Sequence, residues 1–201
     1  MKPSPLCIVV VVYNMRREAP RTLLSLSARY QRGVSADDYQ IHVIENGSPE
    51  PLDEALVMSF GPNFRYTNLG PRALPSPCRA INQAVMASSS AQVGVMIDGA
   101  RIASPGLIAG AIKALQLGRD PVVATLAWHL GDAPQYVSVA GGYCQAVEDR
   151  LLAQSPKPPT HESMAQAPSS QRGRALARMH FLLHPPQWAA SFCVSISQPS
   201  L

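Results

Sequence analysis

Charged side chains are scarce in this 201-residue chain: Asp, Glu, Lys and Arg together make up 15%, against roughly a quarter in an ordinary soluble protein. Its polar surface must therefore come largely from Ser, Thr, Gln and Pro. Long apolar runs are missing too. None approaches the roughly 18 residues that a membrane helix needs, so no membrane span is expected. The apolar stretch in "MKPSPLCIVVVVYN" is followed at once by Tyr13, Asn14, Arg16 and Arg17 and has no small-residue cleavage site, which argues against a secretory signal. There is no GxSxG elbow for a hydrolase nucleophile. "YNMRREAP", after the first apolar run, lacks the glycines that let a pyrophosphate meet a helix N-terminus, which disfavours a dinucleotide-dependent oxidoreductase.

Cysteine is sparse and unpatterned. Cys7, Cys78, Cys144 and Cys193 are far apart and show no CxxC or zinc spacing, so a reducing, cytoplasmic setting fits best. Cys7 lies inside an apolar run and is expected to pack as a small hydrophobe. The net charge of +4 is concentrated at the end: Lys157, Arg172, Arg174 and Arg178 lie beyond residue 150, against the single acid Glu162. The first 150 residues are nearly neutral, with no clustered basic face, and no nucleic-acid partner is expected.

What is present is a hydrophobic fraction of 46%, enough to fill one substantial core. "LCIVVVVY" (6–13) is a continuous β-branched run, the pattern of a strand covered on both faces, as in a parallel sheet. "PRTLLSLSARYQR" supplies a crossover helix, with Leu23, Leu24, Leu26 and Tyr30 near helical spacing after Pro20. "YQIHVIE" (39–45) is a second strand, ended by the turn formers "NGSPEP". A short helix in "LDEALVMSF" and a short strand "FRYTN" (64–68) follow. "LGPRALPSP" is irregular because of its three prolines.

"CRAINQAVMASSS" reads as a helix with Ala80, Ile81, Ala84 and Val85 on one side, leading into the strand "QVGVMID" (92–98). "SPGLIAGAIKALQLG" predicts a helix with Ser104 as N-cap, Pro105 at its first position and Gly118 as its stop. "PVVATLAWHL" (121–130) and "QYVSVAG" (135–141) are expected as further strands. Strand alternating with helix implies an α/β fold with a mostly parallel sheet flanked by helices. The expected division is a domain over 1–150 and a Pro/Ser-rich tail over 151–201 with no sustained periodicity, read as disordered or as out-of-frame sequence fused to a truncated domain. Within it only "RALARMHFLL" has the makings of a turn or two of helix.

Polar residues collect at the carboxyl ends of the expected strands: Tyr13 and Asn14, Glu45 and Asn46, Thr67 and Asn68, and Asp98. Ligands of open parallel sheets bind outside those ends. Asn14 and Glu45 can hydrogen-bond a base or ribose, Arg79 supplies a cation, and Asp98 a carboxylate in front of the small residues Gly99 and Ala100. The same asparagines, and Asp-Gly, also serve ordinary turns.

This pattern resembles the N-terminal half of the GT-A glycosyltransferases of the family 2 type. "IVVVVYNMRREAPRTLLSL" looks like that family's first strand and helix, "IHVIENGSPE" like its "vvDdGS" segment, and "RAINQAVMASSSAQVGVMIDGA" like the helix and strand that lead to its D-x-D. The likeness covers residues 5 to 115. It implies a nucleotide-sugar donor as partner, transfer of the sugar to an acceptor hydroxyl, and donor binding by Tyr13, Asn14, Glu45, Arg79 and Asp98. Tyr13 and Asn14 would border the nucleoside, Glu45 would accept a hydrogen bond from the base, and Asp98 would touch the ribose and help hold a divalent metal, Mg2+ or Mn2+. Ala100 stands where the family has its second acid, which removes the usual metal-binding carboxylate and leaves diphosphate, water or the charge of Arg101 in its place. The family's catalytic base comes from the C-terminal half of its domain, for which this chain offers no counterpart: Glu148 and Asp149 read as the polar face of a short helix, and His129 as a strand-end residue. A truncated, inactive relative that at most binds nucleotide is the alternative.

Overall fold

A computed structural model describes residues 6–96, 100–118, 121–126, 129–130, 133–154 and 190–194. In chain order the elements are β1 (Leu6–Val12), α1 (Ala19–Leu26), β2 (Tyr39–Glu45), α2 (Glu54–Met58), β3 (Phe64–Asn68), a 3₁₀ turn (Gly70–Arg72), α3 (Cys78–Ala87), β4 (Gln92–Met96), α4 (Leu107–Ala114), β5 (Val123–Leu126), α5 (Gln135–Ala140), α6 (Gln145–Gln154) and β6 (Ala190–Val194). The sheet runs β3-β2-β1-β4-β6-β5. Its first four strands are mutually parallel, as the repeated strand-helix alternation demands, and β6 is antiparallel to β4.

β1 lies at the centre of the parallel part, and all seven of its residues are buried, which explains its unbroken apolar sequence. Its two faces feed two cores. Leu6, Ile8, Val10 and Val12 pack with Leu23 and Leu26 of α1 and with Ile108 of α4. Cys7, Val9 and Val11 pack with Ala80, Ala84 and Val85 of α3, so Cys7 is the small core hydrophobe expected of it. Burying each such Val, Leu or Ile contributes about 1.5–3 kcal/mol.

Several local expectations are corrected. Residues 135–140 form helix α5, not a strand. Tyr136, Val137 and Val139 are all exposed, so no sheet selects the two-residue period, while Pro134 accepts the N–H groups of Val137 and Ser138 and starts a helical turn. Helix α4 begins at Leu107 with Gly106, φ +90°, as its cap, not Ser104. The reason is remote in sequence: the side-chain oxygen of Gln31 accepts from the N–H groups of Gly106 (3.2 Å) and Ile108 (3.3 Å), doing what a capping serine would do. The helix ends at Ala114, short of Gly118. Helix α1 stops at Leu26, so Tyr30 falls in the following turn. "LGPRALPSP" holds one 3₁₀ turn, which tolerates Pro71 in its first positions. Of the strand expected over 121–130, Val123–Leu126 form β5, and residues 127 and 128 lie outside the described residues.

The chain divides into two compact units, residues 1–125 with 190–201, and residues 126–189. The second is described over α5 and α6, in which no residue is buried, and at His129, whose ring packs on that of Tyr143 at 4.6 Å between centroids. Within the expected tail, α6 runs to Gln154 and Ala190–Val194 forms β6, pairing Gly94 with Val194. "RALARMHFLL" and Asp98 lie outside the described residues. No described helix is long and apolar enough to cross a membrane.

Candidate functional site at the carboxyl rim

Parallel register brings the strand ends to one rim. Val12 pairs with Glu45, Glu45 with Asn68, and Val10 with Met96, so Tyr13, Asn14, Asn46 and Leu69 leave the sheet on the same side. Because β3 ends at this rim and α3 must return the chain to the start of the parallel strand β4, the helix begins on the rim side, and Arg79 stands in its first turn, exposed. Tyr13, Asn14, Glu45 and Arg79 therefore share one edge. Asp98, two residues past β4, is outside the described residues.

Tyr13 is 56% exposed and Asn14 is also exposed. Asn14 is the single non-glycine residue with positive φ (+52°) among the described residues, a conformation that asparagine tolerates better than most residues but that still needs support. The support comes from the next loop. The Asn14 N–H donates to Ser48 Oγ at 2.7 Å, the Ser48 hydroxyl donates to Glu45 Oε1, and Leu52 N–H donates to Glu45 Oε2 at 3.0 Å. Asn46 N–H to Val12 O (2.8 Å) and the Arg16–Glu50 ion pair (2.8 Å) tie the same two loops together. Glu45, expected to meet a base, is only 1% exposed and holds both oxygens inside this turn. In this arrangement it braces the rim and does not face outward.

The loop after β3 closes over the turn. Leu69 N–H donates to Glu45 O, and the Asn46 side-chain amide donates to Leu74 O at 3.0 Å. Gly47, φ +82°, is required here, because a Cβ would meet that of Ala73 at 2.6 Å. Asn46 is 7% exposed, and its Oδ1 has no hydrogen-bond partner among the described residues. Sequence reasoning placed Asn46 at the strand end but gave it no role, and passed over Ser48; "NGS" marked the turn without revealing what its side chains bind.

The segment following Asp98 is fixed by the inner face of α1. Arg101 N–H donates to Thr22 Oγ1 at 3.0 Å and Ala103 N–H to Ser25 Oγ at 2.9 Å, both acceptors being buried. Ala100 is exposed and brings no oxygen ligand from its side chain. Among the described residues no three His, Cys, Asp or Glu come together to hold a metal. Asp98, the expected metal ligand, lies outside those residues.

No family model matches the chain, and no curated protein matches it. Solved structures do. It is similar to S. aureus TarS 1–349, at 16% identity and a TM-score of 0.50, over 58% of this chain and 34% of that one. It is also similar to the mannosyltransferase PcManGT from Pyrobaculum calidifontis, solved in complex with GDP-Man and Mn2+, at 20% identity and a TM-score of 0.46, over 62% and 36% of the two chains. The chain thus spans about a third of the length of these proteins. Its parallel sheet with flanking helices has a glycosyltransferase-like, GT-A-type fold.

Proposed function

We propose that this chain binds a nucleotide-diphosphate sugar across the carboxyl rim of its sheet, as the donor half of an inverting, family 2-like glycosyltransferase. The observation that carries the reading is the braced conformation of Asn14: a strained, exposed residue at the end of the central strand, pinned through Ser48 by the buried carboxylate of Glu45. Structures support such strain where a ligand requires it. Tyr13 and Asn14, both exposed, border the nucleoside. Arg79 stabilises the charge that grows on the diphosphate as it leaves. Asp98 meets the ribose. In the transfer itself, a base takes the proton of the acceptor hydroxyl, its oxygen bonds to the anomeric carbon, and the nucleoside diphosphate departs with the bonding electron pair.

A second reading, nucleotide binding without transfer, draws on helix α6. Glu148 and Asp149 lie on a helix in which no residue is buried, so they line no enclosed acceptor pocket among the described residues. One experiment separates the two. The full chain is titrated calorimetrically with UDP, GDP and their sugar conjugates, and the same samples are assayed for release of free nucleotide. Binding with turnover supports the transferase, and binding without it the second reading. Absence of binding to every nucleotide would falsify the rim assignment.

A further inference from the structure

We propose that the cleft between α3 and the β2–β3 edge of the sheet is a second binding site, for a small organic carboxylate with a short apolar body. Register pairs His42 with Arg65 and Ile44 with Thr67, and these four side chains turn toward α3, where they meet Ala80, Gln83, Ala84 and Ala87 around a cavity of about 200 Å3. That volume far exceeds the ~10–15 Å3 that one water needs. It falls below the ~300–1,000 Å3 of sites for drug-sized ligands. The occupant is therefore small.

Charge decides its sign. No acid lines the cleft, and Arg65 makes no ion pair or hydrogen bond with any described residue. Its neighbour His42 is 8% exposed, and one ring nitrogen lies 2.9 Å from Thr67 Oγ1. Burial, and then the Arg65 charge, hold the pKa of His42 below the usual histidine value, so the imidazole stays neutral and Arg65 is the lone cation of the cleft. An anion beside Arg65 meets a guanidinium built for carboxylate geometry and no competing acid. The alanines of α3, with Ile44 and Leu69, form apolar walls that a bare inorganic anion would leave uncovered. A carboxylate carrying a few carbon atoms satisfies both ends. The cleft shares Leu69 with the loop over the rim turn, but its polar residues His42, Arg65, Thr67 and Gln83 are none of those assigned to the nucleotide, so the two readings fail separately.

The test uses the full chain labelled for NMR and titrated with butyrate or benzoate, with butanol and inorganic phosphate as comparison probes. Saturable shifts of the His42, Gln83 and Ala84 signals are expected with the carboxylates, and at least about a tenfold weakening in Arg65→Gln, the cost of losing a charged hydrogen bond. Ala84→Leu, which fills the cavity, should abolish the shifts; should it fail to fold, Arg65→Gln, an exposed change, decides alone. No saturable shift, equal binding by Arg65→Gln, or binding of butanol or phosphate as tight as that of the carboxylates overturns the proposal.

Discussion

Asn14 donates its backbone N–H to the hydroxyl of Ser48 at 2.7 Å, joining the loops that leave β1 and β2. Ser48 in turn donates to buried Glu45, so a residue that is itself exposed is governed by one that no solvent reaches.

Ser48→Ala removes both bonds at once. It leaves a buried carboxylate oxygen short of a donor and Asn14 without its anchor, and should cost about 1–3 kcal/mol of stability. Nucleotide affinity should fall with it, by roughly tenfold for each 1.4 kcal/mol of lost preorganisation. Urea unfolding and calorimetry measure the two effects separately, and Ser48→Thr, which keeps the hydroxyl, should recover most of both. If the threonine variant behaves like alanine, the hydroxyl is not what holds the rim.

Gly47 and Gly106 both have positive φ, yet alanine should affect them differently. At Gly47 the added carbon meets Ala73 at 2.6 Å, whereas at Gly106 nothing lies within 4 Å. Gly106→Ala should cost about 1–2 kcal/mol, the left-handed backbone penalty alone. Gly47→Ala should cost more, since the loop over Asn46 must also shift. Equal losses on thermal unfolding would show that the close approach is not a constraint.

The cap of α4 offers a contrast between a near and a distant residue. Gln31→Leu strips the acceptor from Gly106 and Ile108 and the donor from Ser25 O and Ser104 O, and should destabilise by about 1–3 kcal/mol. Ser104→Ala should stay within about 0.5 kcal/mol. The reverse ranking in denaturant midpoints would restore Ser104 as the cap.

At the rim, Asp98→Asn and Arg79→Gln should each weaken nucleotide-diphosphate affinity about tenfold or more while the unfolding midpoint holds, since charged hydrogen bonds to a ligand are worth about 1.5–3 kcal/mol. Unchanged affinity in the calorimeter would make Asp98 a turn residue and Arg79 a surface cation.

Stability should also fall on mild acidification through His42. Burial lowers its folded pKa below the 6.5 of a free histidine, so the unfolded chain takes up a proton first. The contribution is present in full above pH 6.5, and is lost as pH drops from there through the lower folded value. His42→Gln, which can still pair with Thr67, should flatten the difference between urea midpoints at either end of that window. An equal difference in both proteins would place the acid sensitivity elsewhere.

Much of the architecture was legible because its signals are local. The β-branched run of β1, the apolar side of α3 and the turn cluster after Glu45 each announce an element through neighbours in sequence, and alternation of the two types implies parallel strands whose carboxyl ends share a rim. The amphipathic ambiguity of "QYVSVAG" shows the limit: seven residues with no partner sheet read equally as strand or helix.

Sequence by itself determined which residues reach the rim, because strand ends are marked by the switch from apolar to polar, and it determined that no second acid follows Asp98 at position 100. Tertiary structure alone decided what those residues do there. It buried Glu45 and turned its carboxylate inward, it supplied Ser48 as the link to Asn14, and it handed the capping of α4 to Gln31, 75 positions before Gly106. Hydrogen-bond partners in a parallel sheet come from consecutive crossovers, so the groups that complete a loop are set by packing across the rim and leave no trace in the spacing of the chain.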